Sequence, residues 1–369
     1  MTCKTQDCTR APERGRSRCR TCRRTARTTS GTRTLVRESV WETANGKTLT
    51  AKRYKYDNKA SAESFALRQA QPVNVTVDFG SAVWNVRDDV QVALILPDPQ
   101  IGYRHIQGGT EAFHCEQALD LAVRLAADLR PDHIVHLGDF LDLAPFSRFA
   151  QEPGFANTTQ LGIDRGHRFL SELAAVAEDA RQYVLEGNHD ARIIKTLSKL
   201  VPEAALLRAP GAAWPALSVP NLLGLEPLGV EYVESYPAGE LWLSERLRLV
   251  HGVKVNSSGS TAALVAREAP ASTFFGHVHR QELHYRTRPT GRTSETVFAC
   301  SPGTLARIDG AVPSFHSAVS QRTGRSLPVV EDWQQGLAVA SWTGDEEPVV
   351  ELVRISNGRA VYRGREYVG

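Results

Sequence analysis

No apolar run in this 369-residue chain approaches the roughly 18 residues of a membrane-spanning helix. The first residues also lack the apolar segment of a secretory signal. Cysteine is scarce, and four of the six (Cys3, Cys8, Cys19 and Cys22) crowd the start, leaving Cys115 and Cys300 alone. A secreted protein stapled by disulfides would spread its pairs through the fold, so a soluble protein of a reducing, cytoplasmic compartment is expected. With hydrophobic residues at 41% the chain still has enough to build a sizeable core. Acidic residues are heavily outnumbered in the first sixty positions, which hold 16 Lys and Arg against 5 Asp and Glu. That stretch carries +11 of a total of +3, so the remainder carries −8. A basic head on a mildly acidic body points to an anionic partner, nucleic acid before an acidic membrane surface.

What is present divides into three parts. Residues 1–34 are polar and arginine-rich, with almost nothing to bury; such a piece folds only around a metal. Cys3-x4-Cys8 and Cys19-x2-Cys22 can supply four thiolates to one tetrahedral zinc, a small zinc-ribbon-like module. Arg14, Arg16, Arg18, Arg20, Arg23, Arg24 and Arg27 surround the second pair and, with Arg33, Lys52, Arg53 and Lys55, make a footprint for a phosphate backbone. Residues 35–88 read as a linker or lead-in strands, with a turn at Asn45–Gly46, an alternating strand at 73–79 and Trp84 as an apolar anchor.

From residue 89 to 369 the pattern is that of one α/β domain. Buried strands are expected at 90–96, 133–137, 183–186, 246–250, 272–275 and 296–300, and late strands at 337–341 and 349–355. Helices are expected at 111–129, 165–180, 192–200 and 260–268. Strands alternating with helices give a central sheet, and the strand-rich second half allows a second sheet facing it.

Polar residues gather where those strands end: Asp98 and Gln100, Asp139 and Asp142, Asn188 and His189, then His251, His277 and His279. Ligands of open α/β sheets sit beyond the carboxyl ends of the strands, so these loops can share one crevice. Oxygen and imidazole donors without thiolate suit Mn, Fe or Zn in a reactive site rather than a closed structural zinc.

These motifs resemble the calcineurin-like metallophosphoesterase superfamily, whose pattern is D-x-H, G-D-x-x-D, G-N-H-[D/E], H-G and G-H-x-H, over roughly residues 90–300. "GNHDAR" and "DGAVPSFHS…EDWQQGLAV" are also similar to metallophosphoesterase proteins of actinobacterial bacteriophages. The resemblance implies a four-layer αββα sandwich holding two divalent cations. It implies Asp98 and His279 on the first metal, Asp139 bridging, and Asn188, His251 and His277 on the second. It makes His189 the imidazole that touches phosphate, Asp142 its carboxylate partner, and a bridging hydroxide the nucleophile. Gln100 stands where the family has histidine, and its amide oxygen is a weaker donor; either His105 of the same loop compensates or the site holds one tight and one labile metal. Leu143 stands where protein phosphatases of the family carry a phosphate-gripping arginine, which argues against phosphoprotein substrates. Arg192 is a candidate phosphate contact at the rim, and Arg148 a similar case. The resulting expectation is a metal-dependent phosphodiesterase acting on DNA or RNA, with no membrane contact. A small-molecule phosphomonoesterase or nucleotide phosphodiesterase, and a non-catalytic nucleic-acid-binding protein, are the alternatives.

Overall fold

The computed structural model describes residues 89–148, 152–256, 259–313 and 331–369, short paired segments at 318–319 and 326–327, and the backbone of strands at 32–42 and 48–57. The chain divides into two compact units, Met1–Asn85 and Val86–Gly369. In the first, β1 (Thr32–Glu42) pairs antiparallel with β2 (Thr48–Asp57). The register shifts between Leu35 and Arg37, and the link between the strands contains Asn45–Gly46. Cys3, Cys8, Cys19 and Cys22, the strand expected at 73–79, and Trp84 lie outside the described residues.

The second unit begins with β3 (Val90–Leu96), a small hairpin of β4 (Tyr103–Ile106) and β5 (Gly109–Ala112), helix α1 (Glu116–Leu129) and β6 (His133–His136). Helix α2 (Thr159–Val176), β7 (Arg181–Leu185), helix α3 (Arg192–Leu200) and β8 (Glu231–Val233) follow. Next come β9 (Glu240–Ser244), β10 (Leu247–Val250), helix α4 (Thr261–Glu268), β11 (Ser272–Phe275), β12 (Gln281–Thr290) and β13 (Thr293–Pro302). The tail contributes β14 (Ala318–Val319), β15 (Ser326–Leu327), β16 (Gly336–Thr343), β17 (Val349–Arg354), β18 (Arg359–Tyr362) and β19 (Arg365–Val368).

Two mixed sheets result. The six-stranded one runs β17-β16-β3-β6-β7-β8, parallel from β3 to β8. The five-stranded one runs β12-β13-β11-β10-β9, with β10, β11 and β13 parallel. The alternation of side chains along β3 explains its nearly continuous apolar sequence, interrupted only by Gln91 near its start. Leu94 and Leu96 face the cluster that contains α1 and α2, while Ala93 and Ile95 face Leu249, Phe274 and Phe298 of the other sheet. A strand buried on both faces has no polar side, and each of its large aliphatics contributes about 1.5–3 kcal/mol. The second sheet covers its other face with α4, where Ala262 and Ala266 meet Phe275 and Ala299.

The helix expected from residue 111 begins at 116 instead. Residues 109–112 pair back onto 103–106, and Phe113 is drawn into a satellite cluster with Ala144, Phe155, Ala306 and Val312. Tertiary packing overrides helical spacing there. The helix expected over 165–180 covers 159–176.

Candidate metal centre

Five loops leave the carboxyl ends of β3, β6, β7, β10 and β11 and meet at one place. Their backbones are unusual. Asp98, Gln100, Asp139, His277 and His279 all have left-handed φ, between 41° and 71°. Such a conformation costs a non-glycine residue on the order of 1 kcal/mol or more, so the surrounding bonds must hold it. The amide of Gln100 donates to the Asp139 carbonyl at 2.9 Å, and Thr304 Oγ1 donates to the Asp98 carbonyl at 2.7 Å. The amide of His277 donates to Asp98 Oδ1 at 2.9 Å, and that of His189 to Asp139 Oδ1 at 2.7 Å. Gly187 is required by proximity: a Cβ there would lie 2.1 Å from the Asp139 amide nitrogen. Gly138, at φ 94°, leaves room for the His251 ring, whose Nδ1 would be 2.6 Å from a Cβ.

Two groups of potential ligand atoms form, each within 4.8 Å: Asp139, His251 and His277, and Asp98, Asp139 and His279. Asp139 belongs to both, which is the arrangement of a dinuclear centre with a shared carboxylate. His251 Nδ1 donates to the Leu137 carbonyl at 2.8 Å, so Nε2 faces the centre, 3.4 Å from Asp139 Oδ1 and 3.1 Å from Asn188 Oδ1. His279 Nε2 lies 3.4 Å from Asp98 Oδ1 and 3.2 Å from Gln100 Nε2. The sequence-predicted donors Asp98, Gln100, Asp139, Asn188, His251, His277 and His279 are therefore brought together.

The charges suit a cation. Burial alone would raise the Asp139 carboxyl, but His189 and His251 hold it well below the usual range. Burial opposes charge on His251, yet Asp139 and then Asp98 lift it to about 9. His277 is lowered to about 4, first by burial and then by His251. Gln100 Oε1 and His279 Nδ1 are buried without a hydrogen-bond partner. An unpartnered buried amide oxygen costs about 1–3 kcal/mol, and a cation among these donors removes that cost. The donor set thus fits a pair of divalent ions.

Beside it, His189 Nδ1 sits 3.2 Å from Asp142 Oδ2 and 3.1 Å from the Asp142 carbonyl. Burial works against a charged imidazole, but Asp139 and Asp142 raise it above its ordinary value. Arg192 Nη1 donates to the Asp142 carbonyl at 2.7 Å, and its Nη2 stands 3.0 Å from His189 Nε2. Arg192 is thus turned toward the site rather than merely solvating the start of α3. Leu143 is buried in the core. His105 is exposed on β4, away from the donor groups, so it does not compensate for Gln100.

Sequence reasoning missed three participants. Asp190, read only as the last letter of "GNHD", is buried and accepts from the amides of Phe140, Leu141 and Gly187 at 2.9–3.1 Å. It ties the Asp139 loop to the Asn188 loop. Trp333 meets the His279 ring edge-to-face at 4.1 Å, and Tyr236 meets His251 at 5.6 Å. Both come from segments without a periodic signal; the "GNHD" spacing alone could have exposed Asp190.

The family match agrees with this geometry. A family model described as calcineurin-like phosphoesterase matches residues 94–281. The Gene 54 protein of Mycobacterium phage L5 is 27% identical over 259 residues, 69% of this chain and 93% of that protein. The Gene 54 protein of Mycobacterium phage D29 is 28% identical over 253 residues, 67% of this chain and 91% of that protein. Among solved structures, Yfce, a phosphoesterase from E. coli, is 13% identical with a TM-score of 0.30, covering 75% of this chain and 99% of that one.

Proposed function

The chain belongs to the calcineurin-like phosphoesterase family, and from that membership we propose that it cleaves phosphodiester bonds of DNA or RNA. At the coarser level it is a metal-dependent phosphoester hydrolase with a dinuclear site, related to actinobacteriophage Gene 54 proteins. The sharing of Asp139 between two donor groups is the observation that carries the reading.

In this reading Asp98, Gln100 and His279 would hold one cation and Asn188, His251 and His277 the other, with Asp139 available to both. Mn, Fe or Zn suits these oxygen and imidazole donors. When bound, such a pair activates water and neutralises charge on the phosphoryl oxygens. The residues do the rest. Asp142, 3.2 Å from His189 Nδ1, favours the charged imidazole, and Nε2, released from Arg192 Nη2 when substrate enters, would be the atom that gives a proton to the leaving oxygen. Arg192, already directed at that nitrogen, grips a phosphate oxygen. The fixed backbone of the five loops keeps these groups oriented without rearrangement.

The packing of α1 and α2, two sheets and α4 supports the four-layer αββα reading for a catalytic domain over 89–369. We assign residues 1–34 as a four-cysteine zinc module of Cys3, Cys8, Cys19 and Cys22, with 35–88 as its lead-in. The charge of +11 over the first sixty residues supports nucleic acid as its partner. No helix among the described residues is long and apolar enough to cross a membrane.

The test is turnover with added Mn²⁺. Bis-p-nitrophenyl phosphate and a DNA or RNA oligomer should be hydrolysed faster than p-nitrophenyl phosphate or mononucleotides, and Asp139→Asn should abolish all turnover. Preference for the monoester would favour a small-molecule phosphatase, and no turnover at all a binding protein.

A further inference from the structure

Next to the metal centre lies a cavity of about 520 Å³ that the chemistry above leaves unused. Helix α3 and residues 146–148 form its walls, and Asn188 opens it toward the centre. Arg148, Arg192, Lys195 and Lys199 line it, with no carboxylate among its described lining residues. Spacings of three and four residues put Arg192, Lys195 and Lys199 on one face of the helix. The row starts at the chemistry, where Arg192 Nη2 is 3.0 Å from His189 Nε2. Seven residues along the helix then reach Lys199, about 10 Å at ~1.5 Å per residue. That length exceeds one phosphate group and reaches more than one backbone phosphate of a strand, whose phosphates rise ~3.4 Å apiece along a duplex axis and stand farther apart when the strand is extended.

A single phosphoester at the metal centre has no use for this row. We propose that the groove holds the sugar–phosphate backbone of a nucleic-acid strand on one side of the bond being cut. The inference rests on the nucleic-acid reading of the site and deepens it: the substrate is a chain of several nucleotides, not a dinucleotide or a nucleotide. Lys195 and Lys199 are exposed, so their ammonium groups can follow a mobile backbone. Lys195 Nζ also lies 5.0 Å from the centre of the Tyr236 ring, the residue that packs on His251, so the groove and the centre share a wall. Phe146 supplies an apolar wall for an unstacked base. Contacts of this kind track a backbone and do not read sequence.

The experiment uses the full chain with Lys195→Gln/Lys199→Gln, which keeps good helix formers on α3 and replaces no proposed metal donor and neither His189, Asp142 nor Arg192. Hydrolysis of bis-p-nitrophenyl phosphate with Mn²⁺ is expected to be unchanged. Binding of a fluorescent oligothymidylate, followed by anisotropy in EDTA across a salt series, should have a log–log slope shallower by about 1.4, since each lost contact to a single strand removes ~0.7. Cleavage of the same oligomer should fall through a raised KM. An unchanged slope with equal cleavage by both proteins overturns the groove alone. An oligomer that the wild type leaves uncut while hydrolysing the small ester overturns the nucleic-acid reading, and the groove's role with it.

Discussion

At position 100 an amide stands among imidazoles and carboxylates. Its Oε1 is buried without a partner and its Nε2 is 3.2 Å from His279, so the side chain already occupies the place of a ligand. An amide oxygen is a weaker donor than imidazole, and the cation that Asp98 and His279 would hold is therefore the labile one. Gln100→His should tighten that site by about ten-fold or more, because imidazole is the better donor for these metals. Metal analysis after dialysis against a weak chelator checks this: two ions retained by the variant where the wild type keeps one is the expected result, and equal loss from both refutes it. Asp190 poses the opposite kind of question, since it would touch no metal. Removing its carboxylate strands the amides of Phe140, Leu141 and Gly187. At about 1–3 kcal/mol for each buried unpartnered group, Asp190→Ala should lower the unfolding free energy by several kcal/mol and cut turnover even where the protein folds. Urea unfolding with a parallel rate measurement tests both; a variant as stable as wild type removes the role of a tie.

At the scale of elements, α1 and α2 are pinned at one end by Glu116, which meets His114 at 2.8 Å and Arg165 at 2.7 Å. The hydrogen bond from His114 lowers the Glu116 carboxyl to about 2, against the pull of burial and with help from Arg165. Because the folded value lies below the ordinary 4.5, the contribution is complete above that pH and disappears as pH falls toward about 2. Glu116→Gln should therefore melt slightly below wild type at neutral pH, by no more than about 3 °C for so exposed a pair, and the two curves should converge in acid. Parallel melting curves down to pH 2 would sink the assignment. These elements also mark how far sequence carries. Strand β3 and helix α3 were legible to the residue, because a nearly continuous apolar run and helical spacing each left little choice. The start of α1 was not, since Phe113 and Ala112 fit a helical stripe as well as the hairpin and satellite cluster they join. Residues 202–237 gave no period, and there the chain forms two single-turn helices and β8. The metal donors were legible because their motifs end strands; Trp333 and Tyr236 were not, because they reach the centre from segments whose course only tertiary packing sets.

For the whole molecule the separation of charge is the dominant feature, +11 in the first sixty residues against −8 in the rest. A body of that sign repels a polyanion at long range, while its groove of Arg148, Arg192, Lys195 and Lys199 attracts one locally. The head would then raise the local concentration of substrate, and the groove would orient it, two roles that separate by experiment. Deleting residues 1–34 removes 10 of the 16 cations of the first sixty residues and all four clustered cysteines. The shortened protein should keep its rate on bis-p-nitrophenyl phosphate within about two-fold, since no ligand proposed for the catalytic centre is lost. It should bind oligonucleotide at least about ten-fold more weakly at low salt, with the difference shrinking as salt rises. It should also carry one zinc fewer per chain, as should Cys19→Ser/Cys22→Ser in the full protein. Metal content separates the two causes. If the cysteine variant loses its zinc but keeps its affinity, the arginines act without a folded module; if the deletion changes neither affinity nor metal, the head is neither a zinc module nor an anchor, and the groove beside Asn188 must hold the strand alone.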